Sequence, residues 1–275
     1  MSIRTLSAEL HEIAKKQLFE VPNRVRDDID DLKMWIEKYP SLKARKDDQW
    51  LLSFLRGCKF SLERSKEKLI QYYSVRVTAP EFFINRNPFN SDLQRLLKLG
   101  VCIPLEKLAS PSAPRVILMR SFDTKQPTVF VNMVKITLMI LDILINEDDN
   151  FIVAGHVVFH DFEGTTLNHI LQVSPSLGWK MINCLQNAYP TRPKQFHYTN
   201  APTFVLNLLN VFKPFLSEKI KARIKIYDGK DVGELYQSIP KSILPKEYGG
   251  DAGPIKNLIG IVCCDLTGQL FRLIF

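Results

Sequence analysis

The chain has 275 residues, 45% hydrophobic and 24% charged, a balance that supports a folded protein with a sizeable core and excludes a disordered one. Its formal charge of +8 directs attention to acidic partners, nucleic acid or anionic lipid. No run of about eighteen apolar residues occurs, so no membrane-spanning helix is expected. The opening MSIRTLSAELHEIAKK lacks the apolar stretch of a secretion signal, which predicts a cytoplasmic protein.

From Ser7 to about Val77 the periodicity predicts a small helical bundle. Leu10, Ile13, Ala14 and Leu18 form one stripe, and Val25, Ile29, Leu32 and Ile36 a second. Leu51, Leu52, Phe54 and Leu55 begin a third helix, and Ser61 starts a fourth that runs through Leu69, Ile70, Tyr72 and Tyr73. Pro80, Pro88 and the string NRNPFN mark a connection. Beyond Asp92, β-rich runs at Val116–Met119, Val153–Phe159, Phe196–Thr199 and Ile224–Tyr227 alternate with helical ones at Phe130–Ile145 and Ser174–Ala188. That order predicts an α/β domain, a sheet layered with helices. The expected division is 1–80 for the bundle, 90–252 for the α/β domain and 253–275 for a tail that packs on the body or is irregular.

The stretch from Asn200 to Lys225 carries the most information. Phe204, Val205, Leu208, Leu209 and Phe212 recur at helical spacing, Pro202 suits the first turn and Pro214 ends the run, which places a hinge near Lys213. Ser217 is expected to cap a second helix, with Lys219 and Arg223 on one face and Ile220 and Ile224 on the other. From Arg192 to Lys230 there are eight bases against two acids, so most of the chain's excess charge sits beside this apolar lid. The aromatics lie on the apolar side and do not interleave with the bases, an arrangement that favours an anionic membrane over nucleic acid.

Catalytic motifs are absent: there is no GxSxG, P-loop, GxGxxG or HExxH. Asp161 and Glu163 sit at a strand end, where capping the next helix is the expected role. His156 and His160 fall in a strand, so with Val158 they share one face, and core packing or a cavity wall is expected before metal binding. Cys58, Cys102, Cys184, Cys263 and Cys264 show no CxxC spacing and read as reduced thiols. No enzyme activity, cofactor or metal is expected.

An ordered set of residues is similar to a known family: Asp161, Phe162, Glu163, Gly164, Asn168, His169, Gln172 and Pro175; then Tyr189, Pro190, Phe196, His197, Asn200, Ala201, Pro202 and Phe204; then Lys213, Pro214, Phe215, Leu216 and finally Leu244, Pro245, Glu247, Tyr248, Gly249 and Gly250. Together with DQWLLSFLRGCKF at 48–60, these resemble the CRAL-TRIO (Sec14-like) lipid-binding family. The branch of the α-tocopherol transfer and retinaldehyde-binding proteins is the most similar. The resemblance implies a soluble, monomeric carrier in which a sheet floor and a helical gate, here Asn200–Leu216, enclose one hydrophobic molecule such as a tocopherol or a retinoid. It implies a pocket wall of Met119, Val134, Thr137, Leu141, Val158, His160, Met181, Cys184, Leu185, Phe196, Val205, Leu208, Phe212 and Leu216, with Thr137 or His160 able to fix a polar head group. It also implies a basic cleft for phosphoinositide or other anionic lipid, formed by Arg192, Lys194, Lys219 and Arg223 with Lys213 nearby. Cys58 stands where those relatives carry a second base after the FLR string, and Lys59 is its substitute. The same fold also serves phosphatidylinositol or phospholipid exchange proteins and non-transporting interaction modules.

Overall fold

The computed structural model describes residues 3–120, 129–227 and 233–261. Four helices open the chain: α1 (Ala8–Leu18), α2 (Val25–Glu37), α3 (Asp48–Gly57) and α4 (Leu62–Thr78). Three begin on a side chain that accepts from a free backbone N–H: Ser7 from Leu10, Asp47 from Trp50 and Ser61 from Arg64. The bundle expected from periodicity is present. A further helix, α5 (Ser91–Leu99), is capped by Asn90 and leads through Gly100 in the left-handed conformation to the sheet.

Five strands form one sheet among the described residues: β1 (Cys102–Pro104), β2 (Arg115–Arg120), β3 (His156–Asp161), β4 (Pro193–Thr199) and β5 (Ile224–Ile226), in spatial order 1-2-3-4-5. β1 pairs antiparallel with β2 and the rest are parallel. The crossovers are α6 (Phe130–Glu147) between β2 and β3, α7 (Leu167–Leu171) and α8 (Pro175–Asn183) between β3 and β4, and α9 (Thr203–Phe212) and α10 (Glu218–Lys221) between β4 and β5. Parallel crossovers are right-handed, and a strand order that always advances the same way therefore stacks them on one face of the sheet. The opposite face needs other cover. It comes from α11 (Gly233–Ser238), Ile243, Leu244 and the helical turn at 255–261, whose Ile255 and Leu258 pack with Val116, Leu118, Val157 and Phe159. The start of the expected tail thus packs on the body; residues 262–275, with Cys263 and Cys264, lie outside the described residues.

Three sequence expectations change. The run at Val153 is not strand: residues 150–154 make a π-helical turn, and β3 begins only after Gly155, whose φ of 91° ends the turn where a side chain would strike the Arg192 carbonyl. The second basic helix is one turn long. Ser217 precedes α10 without a side-chain cap bond, and Ile224 pairs with Phe196 in β5, so Lys219 and Arg223 share no helix face. Asp161 does not cap the next helix. Its Oδ1 accepts from Glu163 N at 3.0 Å and Asn200 Nδ2 at 2.9 Å and its Oδ2 from the Tyr248 hydroxyl at 2.8 Å, tying together the ends of β3 and β4 and the Tyr248–Gly250 turn.

The bundle and the sheet share one core. Trp50, Phe54, Tyr72 and Tyr189 pack as an aromatic group with centroids 5.2–5.4 Å apart, and Leu51, Leu69, Leu138, Ile145 and Phe151 belong to the same cluster. At its edge the Tyr72 hydroxyl donates to Asp142 at 2.7 Å, and Arg86 pairs with the other Asp142 oxygen at 2.9 Å.

Candidate ligand chamber and basic cleft

Alternation along the strands fixes which side chains face the crossover helices. Ile117 and Met119 pack with the α6 cluster, whereas Val116 and Leu118 pack on the opposite side. Register carries the choice across the sheet: Met119 pairs with His160, Val158 with Phe196 and His160 with Tyr198. Met119, Val158, His160, Phe196 and Tyr198 therefore line one face. Val134 of α6 belongs to the same core cluster as Ile117, with Met119 and Met181 of α8 packed against it, while Val205, Leu208 and Phe212 lie on α9, in the crossover from β4 to β5.

The predicted wall residues divide by exposure. Met119, Thr137, His160, Met181, Leu185, Phe196, Leu208 and Leu216 keep accessible surface, while Val134, Leu141, Val158, Val205 and Phe212 are buried. Cys184 is also fully buried, but in the closed core where the π-helical turn at Cys184–Ala188 packs on α4; burial pushes its thiol up to about 11. His160 and Tyr198 combine open surface with strong desolvation. Burial holds the His160 imidazole down to about 4 and pushes the Tyr198 phenol up to about 12. His160 stacks on Phe162 at 3.9 Å, and Tyr198 meets both rings edge-on at 6.0 and 5.5 Å. Tyr198 is the polar residue that sequence reading missed, although the period of two flags it once Phe196 is chosen. The Thr137 hydroxyl bonds back to the Met133 carbonyl at 3.0 Å, which occupies its proton.

The lid seats on α7 and α8. Val205 and Phe212 turn inward and Asn207, Asn210 and Val211 outward. Phe212 presses its ring on Gly178 of α8, where any side chain would overlap it. Pro214 lies in the short 3-10 turn Lys213–Phe215; the backbone stays helical through Lys213 and becomes extended only at Leu216, so the break expected near Lys213 falls three residues later. On the outside, Leu167 and Leu171 of α7 and Val211 and Phe215 of the lid are exposed apolar side chains.

Around the segment that follows α9 the tertiary structure gathers cations from three parts of the chain. Burial, then the fields of Arg192, Arg223, Lys219 and Lys59, hold the Lys194 ammonium down to about 8; burial, then Arg223, Lys59, Arg192 and Arg64, lower Lys219. Arg192 is held at about 10 by burial and Arg223. The Arg192 guanidinium donates to the Val153 carbonyl and that of Arg223 to the Pro193 carbonyl, which fixes both heads. Lys59, exposed on a left-handed turn with φ 57°, acts on Lys194 and Lys219 from a position where its ammonium lies 5.8 Å from the Phe19 ring centroid, while Cys58 is buried with its thiol 3.5 Å from the Arg64 carbonyl. Lys213 is exposed in the 3-10 turn and is not among the cations acting most strongly on Lys194 or Lys219. Arg64 joins the group without having been singled out from sequence; Asp228 and Lys230 of the basic segment lie outside the described residues.

The CRAL/TRIO domain profile matches residues 113–250, half of the chain. The chain belongs to the CRAL/TRIO family. It is a lipid-binding, lipid-transfer type of protein and not an enzyme, and the family's ligands are small hydrophobic lipids. A second profile, the Pinta-like UBA domain, matches residues 21–93, most of the N-terminal bundle. Relatives include the human alpha-tocopherol transfer protein-like protein, 33% identical over 254 residues that cover 91% of this chain and 72% of the relative, and human clavesin-2, 29% identical over 250 residues that cover 90% and 76%. Among solved structures, that of Sfh5 is similar with a TM-score of 0.48 and 14% identity, over 91% of this chain and 90% of that one. Among the described residues no helix is long and apolar enough to cross a membrane, and no group of three or more His, Cys, Asp or Glu side chains could hold a metal.

Proposed function

We propose that the chain carries one tocopherol- or retinoid-like molecule beneath α9 and releases it at anionic, phosphoinositide-bearing membranes. The observation that carries this reading is the convergence of Lys59, Arg192, Lys219 and Arg223 in the segment that follows α9 and the structure around it, with Lys194 at the edge of the group where the bulge turns it toward the back of the sheet. Such a cluster repels itself and gains from a multivalent anion. Each base contributes about 1 kcal/mol near an anionic surface, enough for reversible docking and too little for permanent anchoring. The exposed Leu167, Leu171, Val211 and Phe215 form the apolar part of the docking face, since α7 and the lid pack together.

Burying roughly 400 Å² of apolar ligand stabilises the closed state by on the order of 10 kcal/mol before entropy losses. Escape into water is therefore slow. At the bilayer, lid residues exchange ligand contacts for lipid contacts, so opening costs less there. His160 and Tyr198 supply the polar recognition, each on an otherwise apolar wall.

The test is ligand transfer between vesicles with and without phosphatidylinositol bisphosphate. Lys219→Glu with Arg223→Glu is expected to slow transfer to the anionic vesicles at least tenfold while bound ligand is retained. An unchanged rate with ligand still bound rules out coupling through this cluster.

A further inference from the structure

The back of the sheet holds a cavity of about 480 Å³ that the lid does not cover. Its floor is Val116, Val157 and Ile243, all members of the back-face core, so it lies across the sheet from Met119, His160 and Tyr198. Ile13 of α1 and Ala113 of the loop before β2 close its sides. That loop is pinned, because the Asn150 amide donates to the Pro111 and Ala113 carbonyls at 2.8 and 3.1 Å. The size is within the range of small-molecule sites.

Its polar lining has one sign. Lys194, Gln17 and Gln195 reach it, and no acid is among the described lining residues. Lys194 arrives by an irregularity: His156 pairs with Pro193 but Val157 pairs with Gln195, which leaves Lys194 as the extra residue of a bulge. Regular alternation would put it on the lid side with Phe196. The bulge re-aims it so that its stem crosses Gly155 and its ammonium sits 3.4 Å from the Gln17 amide oxygen at the cavity. Gln195 is itself fixed, its Oε1 3.0 Å from His197 Nε2. The neighbours that act on Lys194 are Arg192, Arg223, Lys219 and Lys59, all cations, so an anion brought here meets an unopposed positive field. An apolar floor with one cation and two amides at its mouth complements a single carboxylate on an aliphatic tail. A polyphosphate head would need more than one cation inside the cavity.

We propose that this groove is a second binding site, for a free fatty carboxylate, separate from the chamber beneath α9. The carboxylate lies against Lys194 and the Gln17 and Gln195 amides, and the tail runs over Val116, Val157 and Ile243.

The test is isothermal titration calorimetry of dodecanoate into the full chain, alone and with α-tocopherol present, with dodecanol as the uncharged control. One site that tocopherol does not displace is expected, weakened about tenfold or more by Lys194→Met, while dodecanol binds weakly and is indifferent to that change. Ser238→Trp, which fills the groove from α11, should abolish dodecanoate binding and leave tocopherol uptake intact. Ala113→Trp fills it from the loop and gives the same reading should the first variant misfold. Competition by tocopherol, undiminished binding in both filled variants, or no binding at all would overturn the assignment.

Discussion

Burial sets the chemistry of the three strand histidines. His156, stacked on Phe151 at 4.8 Å, is held down to about 3, and His160 and His197 to about 4. Desolvation is the leading cause in each, with Lys225 adding to it at His197. Each imidazole is therefore neutral in the folded chain at a pH where the unfolded chain, with its ordinary value near 6.5, already binds a proton. The stability this preserves is complete above pH 6.5 and is lost as pH falls toward 4. Melting temperature followed by calorimetry is expected to drop steeply across that window, and His160→Phe to flatten the drop by the equivalent of about 1–3 kcal/mol. A profile unchanged by the substitution contradicts the assignment. The position of His156 and His160 on one face of β3 was legible from the period of two; His197, paired with Phe159 in β4, faces the other way. That His160 keeps open surface was not legible, because exposure depends on how distant elements pack around the strand.

At the scale of elements, the lid depends on a single close approach. Phe212 occupies the space that a side chain at Gly178 would need. Gly178→Val is expected to push the ring outward, destabilise the protein by about 1–3 kcal/mol and raise the rate at which bound ligand leaks into water, read by ligand fluorescence after dilution. Destabilisation with no change in leakage would mean that Phe212 is not part of the closure. The helical face of α9 was legible because its apolar residues recur at helical spacing. The one-turn length of α10 was not, since Ile224 gains more from pairing with Phe196 in the sheet than local propensity offers in a helix.

Across the whole molecule, the bundle is joined to the α/β body by buried charge as well as by the aromatic core. Arg56 at the end of α3 holds Glu20 with two bonds of 2.9 and 3.0 Å, both side chains nearly sequestered, and its remaining nitrogen lies 3.7 Å from Asp149 beyond α6. Arg4 grips the same Asp149 from the N-terminal segment at 3.1 Å. Removing one partner strands a charge in the interior. Arg56→Met is expected to cost about 3–5 kcal/mol in urea unfolding, and the double change with Glu20→Leu to recover most of it. A double variant no better than the single would show that packing around the guanidinium matters more than its charge.

The sequence by itself determined the local patterns: the bundle stripes, the strand faces, the lid, the basic segment and the ordered residues that mark the CRAL/TRIO family. These are short-range signals, written in periods of two and 3.6 and in the placement of proline and glycine. Tertiary structure alone decided which cations meet. Lys59 and Arg64 lie more than a hundred residues from Arg192 and Lys219, and only the packing of α3 and α4 on the sheet brings their fields together. The same holds for the groove behind the sheet. It exists because a bulge turns Lys194 to that side and α1 closes over it, two long-range events with no periodicity in the chain to announce them.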